Sequence, residues 1–199
     1  MIEVVNLDKS EPYDKFLNFY NKALASDQEN IEVLNISSFN KDLNEVHSRF
    51  VNLKYIHSDE WTFFSNYNSL KSQDFASHKQ ISATLYWSKI NIQIRINATI
   101  FKSDPLLSDK HFYKRGLDKN ALAISSYQSE KIASYSDVQQ MYDDILLNKD
   151  QKLNRPEYWG GYSFVPYYFE FWEGHRYRIN KRVEYKMVDG LWSKYYLQP

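Results

Sequence analysis

Arg49, Lys54, Lys71, Arg115, Arg178 and Arg182 are cations, and Gln93 and Gln128 are primary amides, all set near stretches rich in aromatic residues. Guanidinium and ammonium groups are the usual means of holding a phosphate, and an amide can hydrogen-bond the edge of a planar heterocycle. Together they suit a phosphorylated ring compound. Taken singly, each is more readily a structural or solvated surface side chain, because exposed polar groups are the norm and 25 basic residues balance 25 acidic ones. Other chemistries are excluded more sharply. The chain has no cysteine, which removes disulfides, thiolate metal sites, iron–sulfur clusters and thiol nucleophiles. It has no Gly-x-Gly-x-x-Gly, no Walker-type loop and no Gly-x-Ser-x-Gly, and only five glycines from which to build any of them. Among His47, His57, His78, His111 and His175 no pair has the spacing of a helical metal site, so no metal is expected. Redox chemistry would fall to a bound organic cofactor or to a metal held by other ligands.

A formal net charge of zero removes the general attraction that nucleic acid or an anionic membrane would need, so neither is an expected partner. The segment Met1 to Asp8 has no basic stretch followed by an apolar one, and no run approaches about 18 apolar residues. A soluble, cytoplasmic protein is the expectation.

The elements that must position these residues are sheet-rich. Tyr, Phe and Trp number 17, 12 and 5, and such side chains fit half-buried pleated surfaces. Ser10, Glu11 and Pro12 read as a helix start, after which Tyr13, Phe16, Leu17, Tyr20, Ala23 and Leu24 share one face. Ile31 to Phe39, Arg49 to Ile56 and Trp61 to Asn66 read as successive antiparallel strands, followed by a short helix from Ser72 to Lys79. Ile81 to Trp87 and Asn91 to Phe101 form a hairpin, its second arm alternating Ile92, Ile94, Ile96, Ala98 and Ile100 with polar residues. Ser108 starts a helix that Gly116 ends, Asp118 caps the next, and Ser136 to Leu147 forms another with Ser136 and Gln139 in capping-box spacing. Strands from Tyr162 to Trp172, Arg176 to Met187 and Leu191 to Leu197 close the chain. The sum is an α+β fold, an antiparallel barrel with peripheral helices, in a single domain over 1–199. Residues 1–30 form its amino-terminal helical segment and 155–199 its last strands.

The last of these segments is unusual. It reads Arg155-Pro156-Glu157-Tyr158-Trp159-Gly160-Gly161, then Glu170-Phe171-Trp172-Glu173-Gly174, then Arg178-Ile179-Asn180-Lys181-Arg182. This resembles the carboxy-terminal signature of the pyridoxamine/pyridoxine 5′-phosphate oxidase family, Pro-x-x-Trp-Gly-Gly, Glu-Phe-Trp-Gln-Gly and Arg-Leu-His-Asp-Arg. Weaker matches follow in chain order. Arg49 to Lys54 resembles Arg-x-Val-Leu-Leu-Lys, Phe64 to Lys71 resembles Tyr-Thr-Asn-x-x-Ser-Arg-Lys, Trp87 to Gln93 resembles Trp-x-x-x-x-x-Gln, and Gln128-Ser129 resembles a Gln-Ser pair. The resemblance covers about Glu11 to Pro199.

It implies an FMN-binding split barrel that is a homodimer with flavin at the subunit interface. The implied flavin contacts are Arg49, Lys54, Phe64, Ser65, Lys71, Gln93, Gln128, Ser129, Trp172 and Arg182. Lys54, His111, Arg115, Lys119 and Arg178 are the implied contacts of a small phosphorylated substrate, with Arg178 and Asn180 in the catalytic positions. Arg49 and Lys54 are an odd number apart and point to opposite faces of a strand unless a bulge intervenes. The implied reaction is oxidation of pyridoxamine or pyridoxine 5′-phosphate to pyridoxal 5′-phosphate with dioxygen as acceptor.

Departures from the pattern keep alternatives open. His111 and Lys119 stand where the family has tyrosine and serine, Asn180 where it has histidine, and Leu70 where it has an arginine at the flavin phosphate. Asparagine cannot carry a proton near neutral pH. A flavin oxidase of the same fold with another substrate, such as those of phenazine biosynthesis, fits these changes. So does a non-catalytic protein that binds FMN or pyridoxal phosphate.

Overall fold

The computed structural model describes residues 1–147 and 153–199. Its strands are β1 (Glu3–Val5), β2 (Val33–Asn40), β3 (Glu45–His57), β4 (Glu60–Asn66), β5 (Gln80–Trp87), β6 (Ile92–Lys102), β7 (Trp159–Glu173), β8 (Lys181–Val188) and β9 (Leu191–Leu197). The helices are α1 (Glu11–Ala25), α2 (Leu70–Ser77), α3 (Pro105–Lys114), α4 (Leu117–Ser125) and α5 (Tyr135–Leu147). The α+β barrel expected from the alternation of apolar residues is the fold observed.

Strand pairing closes on itself: β3 pairs with β2, β2 with β5, β5 with β6, β6 with β7, β7 with β4, and β4 again with β3. Long β7 makes this possible. Its first half, from Trp159 to Phe164, pairs with β4, and its second half, from Tyr168 to Glu173, pairs with β8, so the sheet splits there. The strand β8 and its partner β9 extend beyond the barrel, and β1 joins the edge of β3 in parallel. Closure leaves few open edges, a common device against edge-to-edge association.

The barrel interior is filled by Leu34, Ile36, Leu53, Phe63, Leu85, Ile94, Ile96, Phe164 and Phe169, all buried. α1 covers one end. Pro12 at its start fixes the first turn, and Phe16 packs against Trp61 and Trp87 with ring centroids 4.5 and 5.9 Å apart. Leu24, expected on the same face, sits at the rim and is exposed.

Local boundaries depart from sequence expectation where turn chemistry decides them. The side chain of Asp104 accepts from Leu106 N, so α3 begins at Pro105 and not at Ser108. Gly116 is the residue before α4, and Asp118 lies in its first turn instead of capping it. The capping pair of α5 is Ser134 with Asp137, whose backbone and side-chain groups bond reciprocally, rather than Ser136 with Gln139. Residues 174–180 form a turn, with Arg178 at φ 61°, so β8 starts at Lys181 and not at Arg176. β1 was not expected; three residues carry too little pattern to be read alone.

Candidate functional site

A cavity of about 590 Å³ opens beside β3 and β4, floored by the start of β7 and walled by α2, α3 and the α3–α4 junction. Of the residues expected at a site, it gathers Lys54, Phe64, Ser65, Lys71, His111, Arg115, Lys119 and Gln128. Lys114 joins them, so the walls carry five cationic side chains against the single carboxylate of Glu3. That imbalance, in a chain of zero net charge, suits an anion.

The strand β3 feeds the cavity through its pleat. Phe50, Asn52 and Lys54 lie two apart and line the opening. The register with β4 then shifts between Leu53 and Tyr55, and this bulge puts Tyr55 on the same side as Lys54, while Leu53 and Ile56 stay buried. Arg49 points the other way, as its odd spacing from Lys54 requires. It donates to Ser38 Oγ at 2.6 Å and to Asp74 Oδ2 at 3.1 Å, and does not line the cavity. Asp74, fully buried on α2, also accepts from Ser38, Asn40 and His47. Burial alone would raise its pKa, but these donors outweigh it and hold the carboxyl below its usual range.

Lys71 enters from the first turn of α2, only 8% exposed. Its ammonium donates to Ser65 Oγ and Ser69 Oγ at 3.0 Å and to Gln128 Oε1 at 3.1 Å, all neutral oxygens. Burial, reinforced by nearby Arg49 and opposed by Asp74, pushes its pKa down to about 8. A desolvated cation bonded to no carboxylate has an unmet preference for an anion. Ser129 does not line the cavity. It sits at φ 76° in the turn that carries Gln128, and its hydroxyl accepts from Leu70 N at 3.4 Å. Leu70 itself is exposed.

The opposite wall is aromatic. Phe64 stacks on His111 with centroids 3.8 Å apart and planes 8° from parallel, and Trp159 stacks on Phe64 at 5.4 Å. The Arg115 guanidinium lies 4.5 Å above the Trp159 ring and donates to the Lys119 carbonyl at 2.5 Å. Arg155 ties the wall together, with Nε donating to Asp109 at 2.6 Å and a terminal nitrogen to the Trp159 carbonyl at 2.7 Å. Burial, with Arg115, Lys54 and Lys114 nearby, pushes the His111 pKa down to about 4.

The two glycines after Trp159 serve this wall by packing. A Cβ on Gly160 would lie 2.2 Å from Tyr67 Oη, and one on Gly161 2.5 Å from Ser103 Oγ. Gly160→Ala is therefore expected to cost about 2 kcal/mol through overpacking, read as a lowered urea midpoint with an unchanged slope. A midpoint equal to the parent's would show that Tyr67 can move aside.

Gln93, Trp172 and Arg182 form a second cluster away from the cavity. They are successive cross-strand partners on β6, β7 and β8, on the sheet face opposite buried Ile94, Phe171 and Val183. Arg182 is engaged there by Glu170 at 2.8 Å and by the Gln198 carbonyl at 2.9 Å. Arg178 and Asn180 lie in the turn between β7 and β8, also outside the cavity. Arg178 is exposed, and Asn180 Oδ1 accepts from His175 N at 3.0 Å. Glu3, Phe50, Asn52, Tyr55, Lys114 and Trp159 line the cavity without having been singled out as site residues. The period-two run Phe50, Asn52, Lys54 is a signal that could have found two of them.

Closed pairing, a split at β7 and a cationic, aromatic-walled cavity define the class as split-barrel proteins. The crystal structure of PhzG from Burkholderia lata 383 in complex with tetrahydrophenazine-1-carboxylic acid superposes with a TM-score of 0.90 at 23% identity, over 96% of this chain and 93% of that one. A pyridoxamine 5′-phosphate oxidase-related, FMN-binding protein from Nostoc punctiforme PCC 73102 gives 0.75 at 12% identity, over 96% and 99%. Residues 159–199 match the family model of the pyridoxine 5′-phosphate oxidase C-terminal dimerisation region. A pyridoxine/pyridoxamine 5′-phosphate oxidase of Acinetobacter baumannii (strain SDF) is 31% identical over 193 residues, 96% of this chain and 88% of the relative. One from Hydrogenovibrio crunogenus is 29% identical over 96% and 89%. The chain belongs to the pyridoxine/pyridoxamine 5′-phosphate oxidase family, which makes it a member of an oxidoreductase family. No helix among the described residues is long and apolar enough to cross a membrane.

Proposed function

We propose that this single-domain chain is an FMN-dependent oxidase that converts pyridoxamine or pyridoxine 5′-phosphate to pyridoxal 5′-phosphate, with dioxygen as acceptor. The observation that carries the reading is one cavity that sets five cations beside an aromatic wall. Lys71 donates to Ser65 and Gln128, while Lys54, Lys114 and Arg115 lie near His111, which stacks on Phe64, and Lys119 lines the same cavity. Two phosphorylated, ring-bearing molecules need that kind of surface.

The donor set fits the flavin. Lys71, Ser65 and Gln128 would hold its phosphate end and Phe64 its flank, with Ser129 fixing the turn that presents Gln128. FMN held there would supply the redox chemistry, the oxidation of the substrate's aminomethyl or hydroxymethyl carbon with dioxygen as final acceptor. The protein's part is orientation and charge. Arg115, Lys119, Lys54 and His111 would anchor the substrate phosphate. Arg49 contributes indirectly, holding Asp74 and hence α2 in place.

The cluster Gln93, Trp172 and Arg182, with Arg178 and Asn180, would complete the site of a second copy in a homodimer. All but Gln93 lie within the region that matches the dimerisation model.

A second reading, an oxidase of another anionic ring compound, is favoured by the neutral His111 and by the replacement of a titratable residue at Asn180. The test is direct. The purified protein should show a flavin band after FMN addition, bleach with pyridoxine 5′-phosphate without air, and recover with air. No band would overturn both readings. A band that a carboxylated dihydrophenazine bleaches, and pyridoxine 5′-phosphate does not, would establish the second.

A further inference from the structure

The hydroxyl of Tyr55 lies 2.8 Å from His111 Nδ1, and the two rings meet edge to face at 5.4 Å. Both groups line the cavity. This hydroxyl has no other hydrogen-bond partner among the described residues, and a phenol is a better donor than acceptor, so its proton points at Nδ1. His111 Nε2 has no partner there either. The ring is held flat between Phe64 on its face and Tyr55 at its edge, which leaves it little freedom to flip.

We propose that Tyr55 is a positioning residue that fixes His111 as the neutral Nε2–H tautomer, so that the substrate's phosphate receives a hydrogen bond from an uncharged imidazole. Its assignment to that phosphate rests on the function proposed above. The charged groups facing the ring are Arg115 and Lys114 at the end of α3, Lys54 on β3 and Glu3 on β1. Three cations against one carboxylate oppose protonation, as does burial. Charge in this half of the cavity then comes from Lys and Arg alone, and substrate affinity has no step from His111 near the ordinary imidazole value of about 6.5. A phosphate needs donors more than one further charge, and a fixed Nε2–H supplies one at every pH where the protein works.

The test uses FMN-loaded protein with nitrogen-15 histidine, His111 being assigned by its loss in His111→Gln. At pH 7 the expected His111 signals are an unprotonated Nδ1 and a protonated Nε2, with the Nε2 signal moving when inorganic phosphate is added. In Tyr55→Phe, which keeps both ring contacts, the two nitrogen signals should converge. KM for pyridoxine 5′-phosphate should then rise about tenfold, with kcat within about twofold. A protonated Nδ1 in the parent, an Nε2 signal indifferent to saturating phosphate, or a Tyr55→Phe protein with unchanged nitrogen signals and KM would each overturn the proposal. The parent spectra decide the tautomer even if the variant fails to fold. Absence of turnover in the parent would count against the proposed reaction, while the nitrogen signals would still decide the pair.

Discussion

Lys71→Ala is expected to weaken FMN binding about a hundredfold, equivalent to ~2.7 kcal/mol, measured by quenching of flavin fluorescence on titration into apoprotein. The size follows from the setting. The side chain is largely buried at the cavity wall, and its hydrogen-bond partners are neutral oxygens of Ser65, Ser69 and Gln128. An incoming phosphate would meet a cation already largely desolvated, a condition that strengthens a charged hydrogen bond. The same geometry sets a pH dependence. Only the protonated amine attracts the anion, and in the free protein the pKa stands at about 8 instead of the ordinary 10.5. Affinity should hold level below that value and fall by about tenfold per pH unit above it, until the unperturbed lysine value is reached. In Lys71→Arg, whose side chain stays charged, that decline should vanish. Unchanged affinity in Lys71→Ala would remove this residue from the flavin site.

Arg178→Ala should retain flavin and lose turnover by more than about a hundredfold, a loss of transition-state binding on the order of 3 kcal/mol. Arg178 does not line the cavity of its own chain. It projects from the exposed turn between β7 and β8, at φ 61°, within the segment that matches a dimerisation region. If it serves a second copy, two crippled chains can repair each other. A Lys71→Ala chain still carries Arg178, and an Arg178→Ala chain still carries Lys71. Mixed dimers therefore contain one intact site of two, and an equal random mixture should regain about a quarter of parental activity. Recovery of none would place both residues in one chain's site, and normal turnover by Arg178→Ala alone would remove it from the mechanism.

Much of the fold is legible in local pattern. The alternation of Ile92, Ile94, Ile96, Ala98 and Ile100 reads directly as β6, because a strand's two faces repeat every second residue. Pro12 with Tyr13, Phe16 and Tyr20 reads as α1, because a helix face repeats every three to four. The signature from Arg155 to Arg182 marks the family. Part of that signature turns out to be packing: Gly160 and Gly161 are small because Tyr67 and Ser103 press against them, a contact between segments far apart in sequence.

The cavity shows where local reading stops. Lys54, Lys71, Arg115 and Gln128 are visible as residue types suited to phosphate and ring edges, yet nothing in their spacing says that they share a wall. Arg49 is the same kind of residue in the same strand, and the pleat turns it instead toward Asp74. Tyr55 is the clearest case. Simple alternation puts it on the buried face, and only the bulge between Leu53 and Tyr55, set by pairing with β4, turns it toward His111. By itself, the sequence determined the strand and helix faces, the family and the kind of chemistry open to a chain without cysteine. These rest on side-chain type and short-range periodicity. The tertiary structure decided which cations face one another, which glycines are crowded and which tyrosine orients the histidine. Barrel closure and strand register fix those relations over distances that no local pattern spans.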